Sequence, residues 1–97
     1  MVSKKAKIYK ILLKPAAARD LQKITDKRNL RRVERAIDAL AVNPWPTKSR
    51  DIKNSKEGLR RVPAGDYRVV YLVHKQEVEV VLVRIGHRKE IYRLIRF

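Results

Sequence analysis

"RVVYLVHKQEVEVVLVRIGHRKEIYR", residues 68–93, decides the fold. With Tyr67 in front, residues 67–73 alternate: Tyr67, Val69, Tyr71 and Val73 share one face, and Arg68, Val70 and Leu72 the other. "HKQE" (74–77) reads as a turn, and "VEVVLVRI" (78–85) as the return strand. So short a link joins antiparallel neighbours. Gly86 is expected to break the second strand. Cations crowd this hairpin: Arg68 opens it, and Arg84, His87, Arg88, Lys89 and Arg93 gather at its close. An antiparallel pairing brings Arg68 and Arg88 to one edge of the sheet. Guanidinium groups, permanently charged and able to bind two oxygens at once, suit a phosphate there.

Upstream, "MVSKK" (1–5) reads as a frayed tail and "AKIYKILL" (6–13) as a strand, with Tyr9, Ile11 and Leu13 on one face. Pro15 suits a first helical position, where its missing N–H costs nothing. Ala17, Leu21 and Ile24 then mark a short helix. "TDKRN" (25–29) is expected as a turn. Leu30, Val33, Ile37 and Leu40 form the apolar stripe of a second helix, which stops at Asn43-Pro44. Its outer face carries Lys27, Arg28, Arg31, Arg32 and Arg35. Residues 44–58 read as a polar loop closed by Gly58, "LRRV" (59–62) as a short strand and "PAGD" (63–66) as a turn. "EIYRLIRF" (90–97) fits a short helix or an edge strand. The order βααβββ predicts one α+β domain over residues 1–97, with two N-terminal helices packed on one face of a small, mainly antiparallel sheet.

Composition narrows the function. The 97 residues are 44% hydrophobic, enough for one small core, and carry 25 Lys and Arg against 10 acids, a net charge of +15. Such a chain attracts polyanions, with nucleic acid ahead of an acidic protein. There is no cysteine and only two histidines. Disulfides and thiolate sites are excluded, and no metal site or cofactor is expected. The N-terminus lacks an apolar run, and nothing approaches a membrane span, which predicts a cytoplasmic protein. Trp45 and His74 are read as loop and turn residues.

"LRRVPAGDYRVVY" followed by "VLVRIGHRKEIYR" resembles the RelE branch of the RelE/ParE superfamily of bacterial toxins, over essentially the whole chain. The resemblance implies a fold similar to microbial ribonucleases. It also implies metal-independent cleavage of messenger RNA on the ribosome, and silencing by a cognate acidic antitoxin. In this likeness Arg68 is the phosphate clamp, Arg88 stabilises the leaving side or serves as its acid, and Tyr92 stacks on or orients a base. Arg61 falls where the founding member has one of two lysines near the attacking hydroxyl, and the other falls at Leu59. Arginine does not deprotonate in proteins, so His87 is the candidate for proton transfer, as base or as acid. Lys27, Arg28, Arg31, Arg32, Arg35, Arg60 and Lys89 are the expected RNA- and ribosome-binding residues. A ParE-like gyrase poison and an inactive basic binding module remain alternatives on the same fold.

Overall fold

The computed structural model describes residues 7–95; the expected N-terminal tail, Ala6 and residues 96–97 lie outside it. Eight elements follow in order: β1 (Lys10–Leu13), α1 (Pro15–Gln22), α2 (Lys27–Val42), β2 (Arg50–Asp51), β3 (Arg60–Ala64), β4 (Tyr67–His74), β5 (Glu79–His87) and α3 (Ile91–Leu94). The five strands form one sheet in the order β1-β5-β4-β3-β2. Among the described residues only the β1–β5 pairing is parallel. The α+β architecture is as the pattern predicts, and the described part of the C-terminal segment forms the helix α3 over Ile91–Leu94.

Local chemistry sets most of the boundaries. Pro15 opens α1. "TDKRN" is not a separate turn: Asp26 caps α2, its Oδ1 accepting the Asn29 N–H at 3.0 Å, and Lys27 to Asn29 form the first helical turn. The polar loop contains a two-residue strand, β2. β3 runs on through Pro63 and Ala64, which were expected to turn. β2 pairs only with Arg60 and Arg61, so β3 is an edge strand at Pro63, a place where a sheet tolerates proline.

Gly86 does not break β5 but lies within it. A methyl group there would meet Leu94 Cδ1 at 3.0 Å and Ile91 Cδ1 at 3.2 Å. This glycine lets α3 close onto the strand, a packing role rather than a stop signal.

One core lies between the helices and the sheet. Ala17, Ile24, Val33, Ile37 and Leu40 pack on Val62, Ala64, Val69, Tyr71, Val80, Leu82 and Ile85, with Leu21 and Leu30 at its margin. The buried Tyr71 hydroxyl donates to the Pro44 carbonyl at 2.7 Å and ties the following loop to the sheet. A second, smaller core covers part of the opposite face, where Leu59, Val70 and Leu72 meet Ile91 and Ile95. Among the described residues no helix is long and apolar enough to cross a membrane.

Candidate active site at the end of the sheet

The β4–β5 register slips once. Val70 pairs with Arg84 and Tyr71 with Leu82, which leaves Val83 as the extra residue of a β-bulge. Because side chains alternate along a strand, one inserted residue exchanges the two faces beyond it. Tyr67 therefore pairs with His87, and Arg68 with Gly86.

That exchange divides the expected catalytic set. Tyr67 packs against the helix-side core, and His87 meets its ring edge-on, centroids 5.9 Å apart. His87 lines a cavity of about 240 Å³ together with Asp20, Lys23 and Ile24. Its Nδ1 accepts the Lys89 N–H at 3.2 Å. Arg68 belongs to the opposite face, the one carrying Val70, Leu72 and α3. His87, expected beside Arg68 as the proton-transfer group, thus lies on the other side of the sheet.

On the open face Arg61 and Tyr92 come together. The Arg61 guanidinium stands 5.8 Å from the Tyr92 ring centroid, a cation–π arrangement. Tyr92 is 52% exposed, so its ring remains available for stacking. The two border a groove of about 410 Å³ also lined by Asp51, Ile52, Lys53 and Asn54. Lys53 was missed by sequence reading, because nothing in a polar loop singles it out. Leu59, where the resemblance would place a lysine, is buried in the second core.

The β3–β4 turn organises the next two arginines. Arg68 Nη1 donates to the Gly65 carbonyl at 3.0 Å and the Tyr67 carbonyl at 2.9 Å. These bonds use one of its three nitrogens and leave other N–H donors for an anion. The Arg88 N–H donates to the Asp66 carbonyl at 2.8 Å, and its exposed side chain begins just past β5.

Not every expected cation reaches this end of the sheet freely. Arg60 is bound to Asp51 at 2.6 Å and to Ser49 Oγ at 2.7 Å, so its guanidinium braces the β2–β3 pair. Arg84, one of the cations crowding the hairpin, is paired with Asp20. The Asp20 hydrogen bond raises the Arg84 pKa above its ordinary value, against the opposing effect of burial. Lys27, Arg28, Arg31, Arg32 and Arg35 share one cleft of about 510 Å³ on α2. Lys89 is exposed after β5. Among the described residues no group of three His, Cys, Asp or Glu could hold a metal ion.

Residues 11–92 match the family model for the ParE toxin of the type II toxin–antitoxin system parDE. Toxin RelE of Mycobacterium tuberculosis is 34% identical over 86 residues, 89% of this chain and 88% of its own. Toxin RelG of the same organism is 28% identical over 85 residues, 88% of this chain and 97% of its own. In the crystal structure of the M. tuberculosis RelBE2 toxin–antitoxin complex, the matched chain superposes with a TM-score of 0.73 at 28% identity, covering 89% of this chain and 98% of that one. A chain of the archaeal RelE–RelB complex from Pyrococcus horikoshii shares the fold at a TM-score of 0.71 and 24% identity, covering 84% and 96%.

Proposed function

Because the chain belongs to the RelE/ParE family of type II toxins, we propose that it is a ribosome-dependent endoribonuclease that cuts messenger RNA, stops translation and acts in the cytoplasm. The observation that carries this is the open sheet face, where Arg61 lies against an exposed Tyr92 and Arg68 is anchored with spare donors. In the proposed reaction a ribose 2′-oxygen attacks the adjacent phosphorus. The 2′-hydroxyl proton passes to water, the bond to the 5′-oxygen breaks and that oxygen takes a proton from water, giving a 2′,3′-cyclic phosphate and a 5′-hydroxyl. Arg68 holds the phosphate as negative charge grows on it, Arg88 stabilises the leaving side, and Tyr92 stacks on a base. His87, on the other face, receives no proton-transfer role. No metal ion is assigned a step.

A second function has its own support. The matching family model is that of ParE, which favours a gyrase poison, whereas the relatives named RelE and RelG favour the nuclease. Expression in a sensitive strain, with messenger RNA ends and gyrase-linked DNA breaks mapped in the same cells, separates the two. New RNA ends with 5′-hydroxyls, persisting in purified programmed ribosomes under a metal chelator with ribosome integrity controlled, support the nuclease. Intact messages with gyrase-linked breaks overturn it.

The proposed partner is an acidic antitoxin. Relatives crystallised as RelE–RelB and RelBE2 complexes support such a pairing, and a charge of +15 favours a segment rich in Asp and Glu. Copurification of the toxin from its whole operon, at low and high salt, tests it.

A further inference from the structure

The side chains of two arginines from two elements meet at one turn, and a third arginine begins beside it. Gly65, with a φ of +63°, would bring an added methyl to 2.9 Å from Arg32 Cδ and 3.2 Å from Arg32 Nη1. The Arg32 side chain of α2 therefore lies directly on Gly65. Arg68 of β4 holds the carbonyl of the same residue. The backbone N–H of Arg88 donates to the carbonyl of the next residue, Asp66, which sets where its exposed side chain starts. Among the described residues none of the three is within ion-pair distance of a carboxylate, although Asp66 is adjacent in sequence. Arg60, Arg84 and Arg93, by contrast, are each paired.

Like charges gathered without a counter-ion repel one another, and an added anion relieves that repulsion. We propose that the β3–β4 turn is an anion subsite that holds a backbone phosphate of single-stranded RNA next to the one gripped by Arg68. Arg32 reaches it over Gly65. The absence of a β-carbon at Gly65 gives Arg32 its path, so the glycine serves the subsite as well as the turn. Arg32 is thereby distinguished from the rest of the basic α2 face as part of the substrate track. The inference rests on the proposal that this toxin acts on RNA.

The test uses the full-length toxin and a short single-stranded RNA with 2′-O-methyl riboses, which cannot be cut. Binding is titrated across a salt series. Arg32→Gln should weaken binding and flatten the plot of log affinity against log salt by about 0.7, the loss of one phosphate contact. Lys10→Gln, on the far edge strand, should flatten it by clearly less. Gly65→Ala should weaken binding by a factor comparable to Arg32→Gln. The double variant should be no worse than either alone, since both remove one contact. An Arg32→Gln slope equal to that of the wild type, or effects that multiply in the double variant, overturns the subsite. Arg32 is exposed, so its variant is a safe test even if Gly65→Ala strains the turn. The outcomes are separable: a toxin that spares messenger RNA yet shows the coupled salt effect keeps the subsite and loses the nuclease. One that cuts normally with Arg32 silent does the reverse.

Discussion

Asp20 of α1 binds Arg84 of β5 with both carboxylate oxygens, at 2.8 and 3.0 Å across 64 residues, and also accepts the Ile85 N–H at 2.9 Å. β1 stops pairing at Leu13, opposite Leu82, so the edge of β5 beyond that point needs another partner. Asp20 supplies it and, with the same carboxylate, neutralises the arginine beside the bulge.

Asp20→Ala should destabilise the fold by about 3 kcal/mol, because a partly buried guanidinium and a strand N–H both lose their acceptor. Asp20→Asn should cost less, since its amide oxygen can still accept from Ile85. Urea unfolding of the purified toxin measures both. The Arg84 pKa is raised in the fold by its hydrogen bond to Asp20. Its contribution is therefore fully present below the unfolded-state value and is lost only as pH rises through the still higher folded value. From neutral to moderately alkaline pH, titration of Arg84 should leave the difference between wild type and Asp20→Ala unchanged.

Leu40 is fully buried, whereas Ile37, at 9% exposure, also borders an open cleft with Leu13 and Leu21. Leu40→Ala should cost about 3–4 kcal/mol and Ile37→Ala about 2, because a site that opens to solvent leaves a smaller cavity. Equal losses in denaturant midpoint would contradict this placing of the two side chains.

Under the proposed nuclease reaction, Arg68→Ala should lower the rate of messenger RNA cleavage by about a hundred- to a thousand-fold, since a clamp of this kind strengthens as charge builds on the phosphate. Arg68→Lys should recover little, because an ammonium cannot reproduce the planar fork that binds two carbonyls and an anion together. Antitoxin binding and thermal midpoint should stay near wild type in both. The measurement is single-turnover cleavage at saturating ribosomes.

His87→Gln should cut messenger RNA with the wild-type dependence on pH. The imidazole packs on Tyr67 at the helix side and accepts the Lys89 N–H, away from Arg61 and Tyr92. A flattened profile near neutrality would return proton transfer to this residue and require its side chain to reach the other face.

What the sequence settles by itself is whatever depends on neighbours a few residues apart. The alternation of 67–73, the stripe Leu30/Val33/Ile37/Leu40, Pro15 as a helix start and Pro44 as a helix stop are local patterns, and each stands where it was expected. They suffice for an α+β domain with two helices on a largely antiparallel sheet, and the charge of +15 suffices to point to a polyanion. The candidate site was legible only as a set of cations near the end of a hairpin. Tertiary structure alone decided which of them face the same way. Without the bulge at Val83, the pairing of Tyr71 with Leu82 would carry on to place His87 on the face of Arg68. One extra residue reverses that, because side chains alternate with a period of two and a single insertion shifts the phase of everything after it. Partners far apart in sequence were equally out of reach: Asp20 withdraws Arg84, Asp51 and Ser49 withdraw Arg60, and Gly65 receives Arg32. Those choices depend on which surfaces the closed sheet and the packed helices bring into contact.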